Sequence, residues 1–111
     1  MAVNVVYIDD DEDLCYLFKA YLNSDLINIE VFSEEDKAIQ YCNQEQPDII
    51  FIDYRLKSKT GLEVSNEIKI NTLRILVTGE FGIDVGSSFN EIIEKPYKLA
   101  DIREFILDTE K

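Results

Sequence analysis

The sequence predicts a single α/β domain with a doubly wound, five-stranded parallel sheet and helices on both faces. The first indication is the apolar run Ile49-Ile50-Phe51-Ile52, which follows Pro47 and ends at Asp53. A short apolar run next to a breaker is typical of a strand buried on both faces, as in a parallel sheet. The second is that strand-like and helix-like patterns alternate along the chain, as in repeated βα units. Because 111 residues suffice for one core but not for two, we expect residues 1–111 to form one domain.

The first half of the chain is predicted to contain three strands and two helices. The strands cover residues 3–8, 27–32 and 48–53, the first helix covers residues 11–24, and the second follows Ser33 and runs to about Asn43. Apolar residues at helical spacing define one buried face of the first helix, namely Leu14, Leu17, Phe18, Tyr21 and Leu22. Ser33 is the expected N-cap of a capping box at the second helix, whose buried residues are Ala38, Tyr41 and Cys42.

The second half of the chain is less regular. Helices are predicted over residues 61–70 and 99–109, and strands over residues 74–77 and 91–94. Three of the four glycines lie within residues 79–86. Since each glycine inside a helix costs about 1 kcal/mol relative to alanine, any helix before the fifth strand must be short. Crossovers between parallel strands are right-handed, which favours the flavodoxin-like strand order 2-1-3-4-5 with a switch point between the first and third strands.

The composition of the chain excludes several classes of function. There are 11 basic and 23 acidic residues, which give a net charge of −12, and there is no histidine. Such a surface repels a phosphate backbone, so direct binding to nucleic acid is not expected. A Ser-His-Asp triad and most zinc sites are excluded because they require histidine. Cys15 and Cys42 are expected to be reduced, buried and on opposite faces of the sheet.

The sequence gives no indication of export or membrane insertion. Its purely apolar runs are only as long as strands, which is too short to cross a bilayer. Residues 1–4 have neither the basic start nor the cleavage pattern of a secretory signal. We therefore expect a cytoplasmic protein.

Acidic residues end the two strands that flank the predicted switch point. Asp9 and Asp10 follow the first strand and Asp53 follows the third, so three carboxylates are expected at one edge of the sheet. Two unit charges about 4 Å apart repel by about 4 kcal/mol at an effective dielectric constant of about 20. The cluster therefore requires a cation, and a few carboxylates with water suit Mg²⁺. Thr78 and Lys95 end the next two strands, and this combination around a central aspartate is an arrangement for phosphoryl transfer.

Together, these strand-end residues resemble the receiver domain of bacterial two-component response regulators. The matching residues, in chain order, are Asp9-Asp10, Asp53, Gly61, Thr78-Gly79 and Lys95-Pro96. The resemblance implies a stand-alone receiver in which Asp53 accepts a phosphoryl group from a sensor histidine kinase or a phosphotransfer protein and then switches a surface that binds an unknown downstream protein. Such a domain catalyses only its own phosphorylation and dephosphorylation, and it is a signalling module, not a metabolic enzyme.

The resemblance also implies a role for each residue of the site. The implied Mg²⁺ ligands are Asp9, Asp10, Asp53 and the backbone carbonyl of Arg55. Thr78 and Lys95 would contact the phosphoryl oxygens, and the Lys95-Pro96 peptide would be cis. Arg55 and Glu80 are either an ion pair that controls phosphoryl lifetime or two exposed charges of little consequence. Tyr97 and Lys98 are assigned to a docking surface, and the aromatic residues elsewhere to the core.

Departures from the family pattern leave two alternatives open. The intervals from Gly61 to Thr78 and from Thr78 to Lys95 are shorter than usual, so the fourth helix of the family is expected to be truncated. Ile92 stands where many members carry a switching Tyr or Phe. These departures favour a pseudo-receiver that binds proteins without phosphorylation. A small Mg²⁺-dependent phosphatase is a weaker alternative, because no substrate-binding domain is present.

Overall fold

A computed structural model describes residues 2–110 as a parallel sheet with helices on both faces. The strands are β1 (Val3–Ile8), β2 (Ile27–Phe32), β3 (Ile49–Asp53), β4 (Leu73–Thr78) and β5 (Glu91–Glu94). The helices are α1 (Glu12–Leu22), α2 (Glu35–Glu45), α3 (Gly61–Glu67) and α4 (Leu99–Asp108). All neighbouring strands are parallel, and their order β2-β1-β3-β4-β5 confirms the predicted flavodoxin-like topology.

Two separate hydrophobic clusters cover the sheet. Helices α1 and α4 pack on one face and helices α2 and α3 on the other. Strands β1, β2 and β3 have residues in or packed against both clusters because their side chains alternate between the faces. Cys15 belongs to the first cluster and Cys42 to the second, and both are buried and free. This confirms that the sheet separates the two thiols.

The position of β3 at the centre of the sheet determines where the acidic residues meet. All five residues of β3 are buried, and the strand lies between β1 and β4. Ile8 pairs with Ile52, and Asp53 pairs with Val77. Asp9 and Asp53 therefore follow paired residues and lie next to each other at the carboxyl edge.

The buried face of α1 is narrower than predicted. Its buried residues are Cys15, Phe18 and Leu22, whereas Leu17 and Tyr21 are exposed. The predicted face was too wide, because only the stripe that points at the sheet is covered. None of the helices within residues 2–110 is long and apolar enough to cross a membrane.

The predicted start of α2 and the predicted end of α3 are wrong. Glu34, not Ser33, is the N-cap of α2, and it makes no side-chain capping bond. A capping box is found instead at α3, between Thr60 and Glu63. Helix α3 ends at Glu67 because the guanidinium of Arg74 binds the carbonyl groups beyond that point, those of Ile68 and Ile70.

The described residues 79–90, between β4 and β5, contain no helix. Gly82 and Gly86 have φ angles of 70° and 58°, in the left-handed region that interrupts a helix. The fourth helix of the family, which was expected to be truncated, is therefore absent from residues 79–90. Phe81 in this loop is 87% exposed, and Tyr16 on α1 is also exposed, so the assignment of all remaining aromatic residues to the core is wrong.

Candidate functional site

The ends of β1 and β3 bring three carboxylates together. Asp9, Asp10 and Asp53 each offer an oxygen, and these oxygens lie within 4.8 Å of one another. Asp9 and Asp53 are buried, whereas Asp10 is exposed. The next residue, Asp11, is the N-cap of α1 and accepts hydrogen bonds from Asp13 and Leu14, so its role is structural. The three predicted carboxylates thus form one cluster that is accessible from one side.

Lys95 is the cation of this cluster. Its Nζ lies 3.0 Å from Oδ2 of Asp9 and 3.2 Å from Oδ1 of Asp53. Burial alone would lower the pKa of Lys95, but its interactions with the two carboxylates outweigh burial and raise the pKa. The backbone N–H of Lys95 donates to the carbonyl of Thr78 at 2.9 Å, and the Lys95-Pro96 peptide is cis as predicted. Lys95 is therefore a positively charged link between β1 and β3.

One lysine does not neutralise the cluster. Three carboxylates and one ammonium group leave a net charge of −2 at the edge of the sheet. Burial and, after it, repulsion from Asp9 raise the pKa of Asp53 to about 6, although the interaction with Lys95 opposes both effects. A divalent cation would relieve this repulsion, and clustered carboxylate oxygens are the ligands that Mg²⁺ prefers. The donor set therefore fits Mg²⁺.

Thr78 lies at the same edge, at the end of β4. Asp53 pairs with Val77, so Thr78 is one residue beyond Asp53 on the neighbouring strand. Its side chain is buried, and its Oγ1 accepts a hydrogen bond from the backbone N–H of Glu80 at 3.0 Å. Thr78 and Lys95 line one small cavity. The structure thus places the hydroxyl of Thr78 at the same edge of the sheet as Lys95 and the acidic cluster.

Arg55 and Glu80 form an exposed ion pair, which does not decide between the two predicted possibilities. Nε and Nη2 of Arg55 lie 2.8 Å and 2.9 Å from the two carboxylate oxygens of Glu80. The pair connects the loop after β3 to the loop after β4. Both side chains are exposed, so water screens the attraction and limits its contribution to stability. An effect of this pair on phosphoryl lifetime stays a prediction. The assignment of the Arg55 carbonyl as a metal ligand also stays a prediction.

Two tyrosine hydroxyl groups that were not predicted to belong to the acidic cluster are connected to it by hydrogen bonds. The hydroxyl of Tyr7 donates to Oδ2 of Asp9 at 2.7 Å and lies 2.9 Å from the hydroxyl of Tyr97. Burial and the hydrogen bonds to Tyr97 and Asp9 raise the pKa of Tyr7, so the hydroxyl keeps its proton. A signal was present in the sequence, because Tyr7 and Asp9 are two residues apart on one strand and a buried tyrosine hydroxyl needs a partner.

Comparison with known proteins associates this geometry with one family. The family model for the response regulator receiver domain matches residues 5–107. A response regulator receiver domain (CheY-like) from Methylobacillus flagellatus superimposes with a TM-score of 0.86 at 19% identity, over 100% of both chains.

Two other solved receiver domains have the same fold. A CheY-like domain from Methanospirillum hungatei JF-1 has a TM-score of 0.87 at 19% identity, over 98% of this chain and 94% of that one. A domain from Clostridium thermocellum has a TM-score of 0.83 at 21% identity, over 97% and 93% of the two chains. At these identities, the similarity concerns the fold.

Proposed function

The chain belongs to the response regulator receiver domain family, and on that premise we propose that Asp53 accepts a phosphoryl group from a phosphohistidine of a sensor histidine kinase or a phosphotransfer protein. A receiver domain is a signalling domain of two-component systems. The observation that carries the proposal is the position of Lys95, whose ammonium group bridges Asp9 and Asp53 within a cluster of three carboxylates.

Asp53 is the nucleophile of the proposed transfer. A carboxylate oxygen of Asp53 attacks the phosphorus atom of the phosphohistidine. A phosphorus–oxygen bond forms, the phosphorus–nitrogen bond breaks, and its electron pair stays on the imidazole of the donor. The pKa of about 6 for Asp53 leaves the carboxylate ionised at neutral pH, as the attack requires. The product is an acyl phosphate on Asp53.

Lys95 and Thr78 stabilise the transferred group. The ammonium group of Lys95 lies 3.2 Å from Oδ1 of Asp53. It is therefore beside the carboxylate that forms the new bond, whichever of the two oxygens attacks. The hydroxyl of Thr78 provides a second donor from the adjacent strand. Positioned donors of this kind stabilise the charge that the phosphoryl oxygens carry in the transition state. Water later hydrolyses the acyl phosphate, and the domain returns to its resting state.

The carboxylate cluster would hold the Mg²⁺ that this reaction requires. The proposed ligands are Asp10, Asp53 and the backbone carbonyl of Arg55, with Asp9 assisting. When bound, Mg²⁺ neutralises charge on the phosphoryl oxygens. The net charge of −2 in the cluster supports this assignment. Lys95 offsets one of the three carboxylates, and a divalent cation would offset the other two.

Residues 1–111 would act as one receiver domain in the cytoplasm. Phosphorylation adds negative charge that Thr78 and Lys95 can bind, which favours one of two arrangements of the surrounding loops. An unidentified downstream protein would recognise that arrangement, and Tyr97 and Lys98 would belong to a docking surface. The net charge of −12 makes direct binding to nucleic acid unfavourable.

The loop between β4 and β5 favours a second candidate function. Residues 79–90 contain no helix in the structure, and Ile92 on β5 is exposed. A surface that lacks the helix and the aromatic residue of a switching receiver is compatible with a pseudo-receiver, which binds proteins without phosphorylation. The complete set of acids and Lys95 opposes this alternative.

One experiment tests the proposal. The protein is incubated with Mg²⁺ and acetyl phosphate, and the intact mass is measured. We expect an increase by one phosphoryl group that is stable in acid and labile in base. Asp53→Asn should abolish the adduct. Asp48→Asn is the matched control, because Asp48 precedes β3 at the opposite edge of the sheet, where it accepts a hydrogen bond from Asn4, and this variant should be phosphorylated like the wild type.

The possible outcomes separate the three functions. Absence of an adduct in the wild type would favour the pseudo-receiver and contradict phosphorylation at Asp53. Turnover of several phosphate esters without a lasting adduct would favour the small Mg²⁺-dependent phosphatase. An adduct that persists in Asp53→Asn would place the phosphoryl group on another residue.

A further inference from the structure

A chain of hydrogen bonds runs beneath the acidic cluster, from Tyr97 through Tyr7 to Asp9. The hydroxyl of Tyr7 lies 2.7 Å from Oδ2 of Asp9 and 2.9 Å from the hydroxyl of Tyr97. Each hydroxyl has one proton, and a carboxylate only accepts. Because the proton of Tyr7 is donated to Asp9, the proton between the two tyrosines comes from Tyr97. Tyr97 therefore reaches Asp9 only through Tyr7.

The carboxylate of Asp9 is held by three donors, two from its own segment of the chain and one from Lys95. Its Oδ2 accepts from Tyr7 and from Nζ of Lys95, at 2.7 Å and 3.0 Å. Its Oδ1 accepts from the backbone N–H of Asp11 at 3.0 Å. Asp9 is only 1% exposed, so water has little access to replace a missing donor. The orientation of this carboxylate is thus set by its protein partners.

The ring of Tyr7 is fixed independently of its hydroxyl group. It is fully buried and stacks on Phe18 with 4.0 Å between ring centroids and 8° between ring planes. The ring of Tyr97 packs nearly perpendicular to the same Phe18, with 6.5 Å between ring centroids and 88° between ring planes. Because packing holds both rings, replacement of either tyrosine by phenylalanine removes a hydrogen bond and keeps the shape of the core.

We propose that Tyr7 is a positioning residue for the divalent metal site, because its hydroxyl group orients the carboxylate of Asp9. Tyr97 acts on the same carboxylate through Tyr7. The inference rests on the proposed function, in which the acids around Asp9 hold Mg²⁺. Hydrogen-bond partners of metal ligands orient those ligands, and their loss typically weakens metal binding by about 10–100-fold. Without the hydroxyl of Tyr7, Oδ2 of Asp9 keeps only the bond to Lys95 and turns towards it.

The test is the affinity for Mg²⁺, measured by isothermal titration calorimetry on the full chain. We expect Tyr7→Phe to weaken binding by about tenfold and Tyr97→Phe to weaken it less. In the double variant, Tyr97→Phe should have no additional effect, because its route to Asp9 is already lost. Tyr16→Phe is the matched control, since Tyr16 is an exposed tyrosine on α1, and it should bind Mg²⁺ like the wild type.

Unfolding by urea in EDTA distinguishes positioning from a purely structural role. A structural role lowers the free energy of unfolding of Tyr7→Phe and leaves the Mg²⁺ affinity unchanged, which would overturn the inference. Additive effects of the two substitutions would overturn the route through Tyr7. If the wild type bound no Mg²⁺, or if Asp10→Asn bound it as tightly as the wild type, the proposed metal site itself would fail, and the inference with it.

Discussion

The environment of Asp53 disfavours the ionised form of its side chain. It is buried at the end of β3, and a carboxylate oxygen of Asp9 lies nearby. Burial first, and Asp9 second, raise its pKa to about 6, although Lys95 offsets part of the effect. The same environment that the proposed reaction uses therefore destabilises the folded protein at neutral pH when no metal is bound.

This conflict predicts that Asp53→Asn stabilises the metal-free protein at pH 8. Because the folded pKa of about 6 exceeds the ordinary aspartate pKa of 3.8, Asp53 loses its proton first in the unfolded state as the pH rises. The raised pKa of Asp53 does not affect the free energy of unfolding below about pH 4. It lowers this free energy progressively between about pH 4 and pH 6, and above about pH 6 the loss reaches its full size of about 3 kcal/mol. Urea unfolding in EDTA should show the variant to be more stable at pH 8 and equal to the wild type near pH 4. A difference that does not change with pH would contradict this origin.

The residues of the site could be predicted to different degrees. Asp9, Asp53 and Lys95 were predicted from their positions, because the carboxyl ends of parallel strands meet at one edge of a sheet. The contact of Tyr7 with Tyr97 joins residues 90 positions apart, and no local pattern encodes it. Thr78 was also predicted from its position at the end of a strand, whereas the Arg55 carbonyl was implied only by the resemblance. Both roles stay predictions.

At the scale of an element, α3 depends on a close approach to β3. The backbone N–H of Gly61 donates to the carbonyl of Tyr54 at 2.7 Å. A Cβ at Gly61 would lie 2.5 Å from the carbonyl oxygen of Asp53 and 3.1 Å from Cγ2 of Ile52. The backbone of β3 cannot easily move, since the strand is paired on both sides. Only glycine fits at this position.

Gly61→Ala should therefore disturb both the fold and the site. We expect the free energy of unfolding to fall by about 1–3 kcal/mol, as for other overpacked positions, and the rate of phosphorylation by acetyl phosphate to fall because the backbone of Asp53 is displaced. Gly79→Ala is the matched control, because its Cβ would lie 3.8 Å from Cβ of Lys95, an ordinary contact. Equal stability of the two variants in urea would contradict the argument.

The elements themselves were predicted well where their pattern is strong. β1 and β2 have the predicted bounds, since alternating or continuous apolar runs end at polar residues. The N-cap of α2 was assigned to Ser33 because hydroxyl residues favour that position, but the chain enters the helix one residue later, at Glu34. The conformation of residues 79–90 was only partly predictable. The glycine content argues against a long helix, but it does not determine which conformation the loop adopts.

At the scale of the whole molecule, the charge of −12 affects stability in two ways. Repulsion among surface acids destabilises the compact state, and salt weakens this repulsion because the Debye length is about 10 Å at 0.1 M. Any salt has that effect. Binding of Mg²⁺ at the carboxylate cluster would add a specific effect, which depends on three residues at one edge of the sheet.

The two effects can be separated by comparing MgCl₂ with NaCl at equal ionic strength. A ligand at about 100 times its dissociation constant stabilises the folded state by about 2.7 kcal/mol. We expect the wild type to show an increment of this size in MgCl₂ beyond that in NaCl, and EDTA to remove it. Asp10→Asn should lose the increment, because it lacks a proposed ligand but keeps most of the surface charge.

Asp25→Asn removes the same charge elsewhere. Asp25 is exposed in the loop before β2, at the opposite edge of the sheet, so this control should keep the full increment. The free energy of unfolding in urea is the measurement for all three proteins. If Asp10→Asn and Asp25→Asn responded alike to MgCl₂, the stabilisation would come from screening of the whole surface, and the carboxylate cluster would not be a specific metal site.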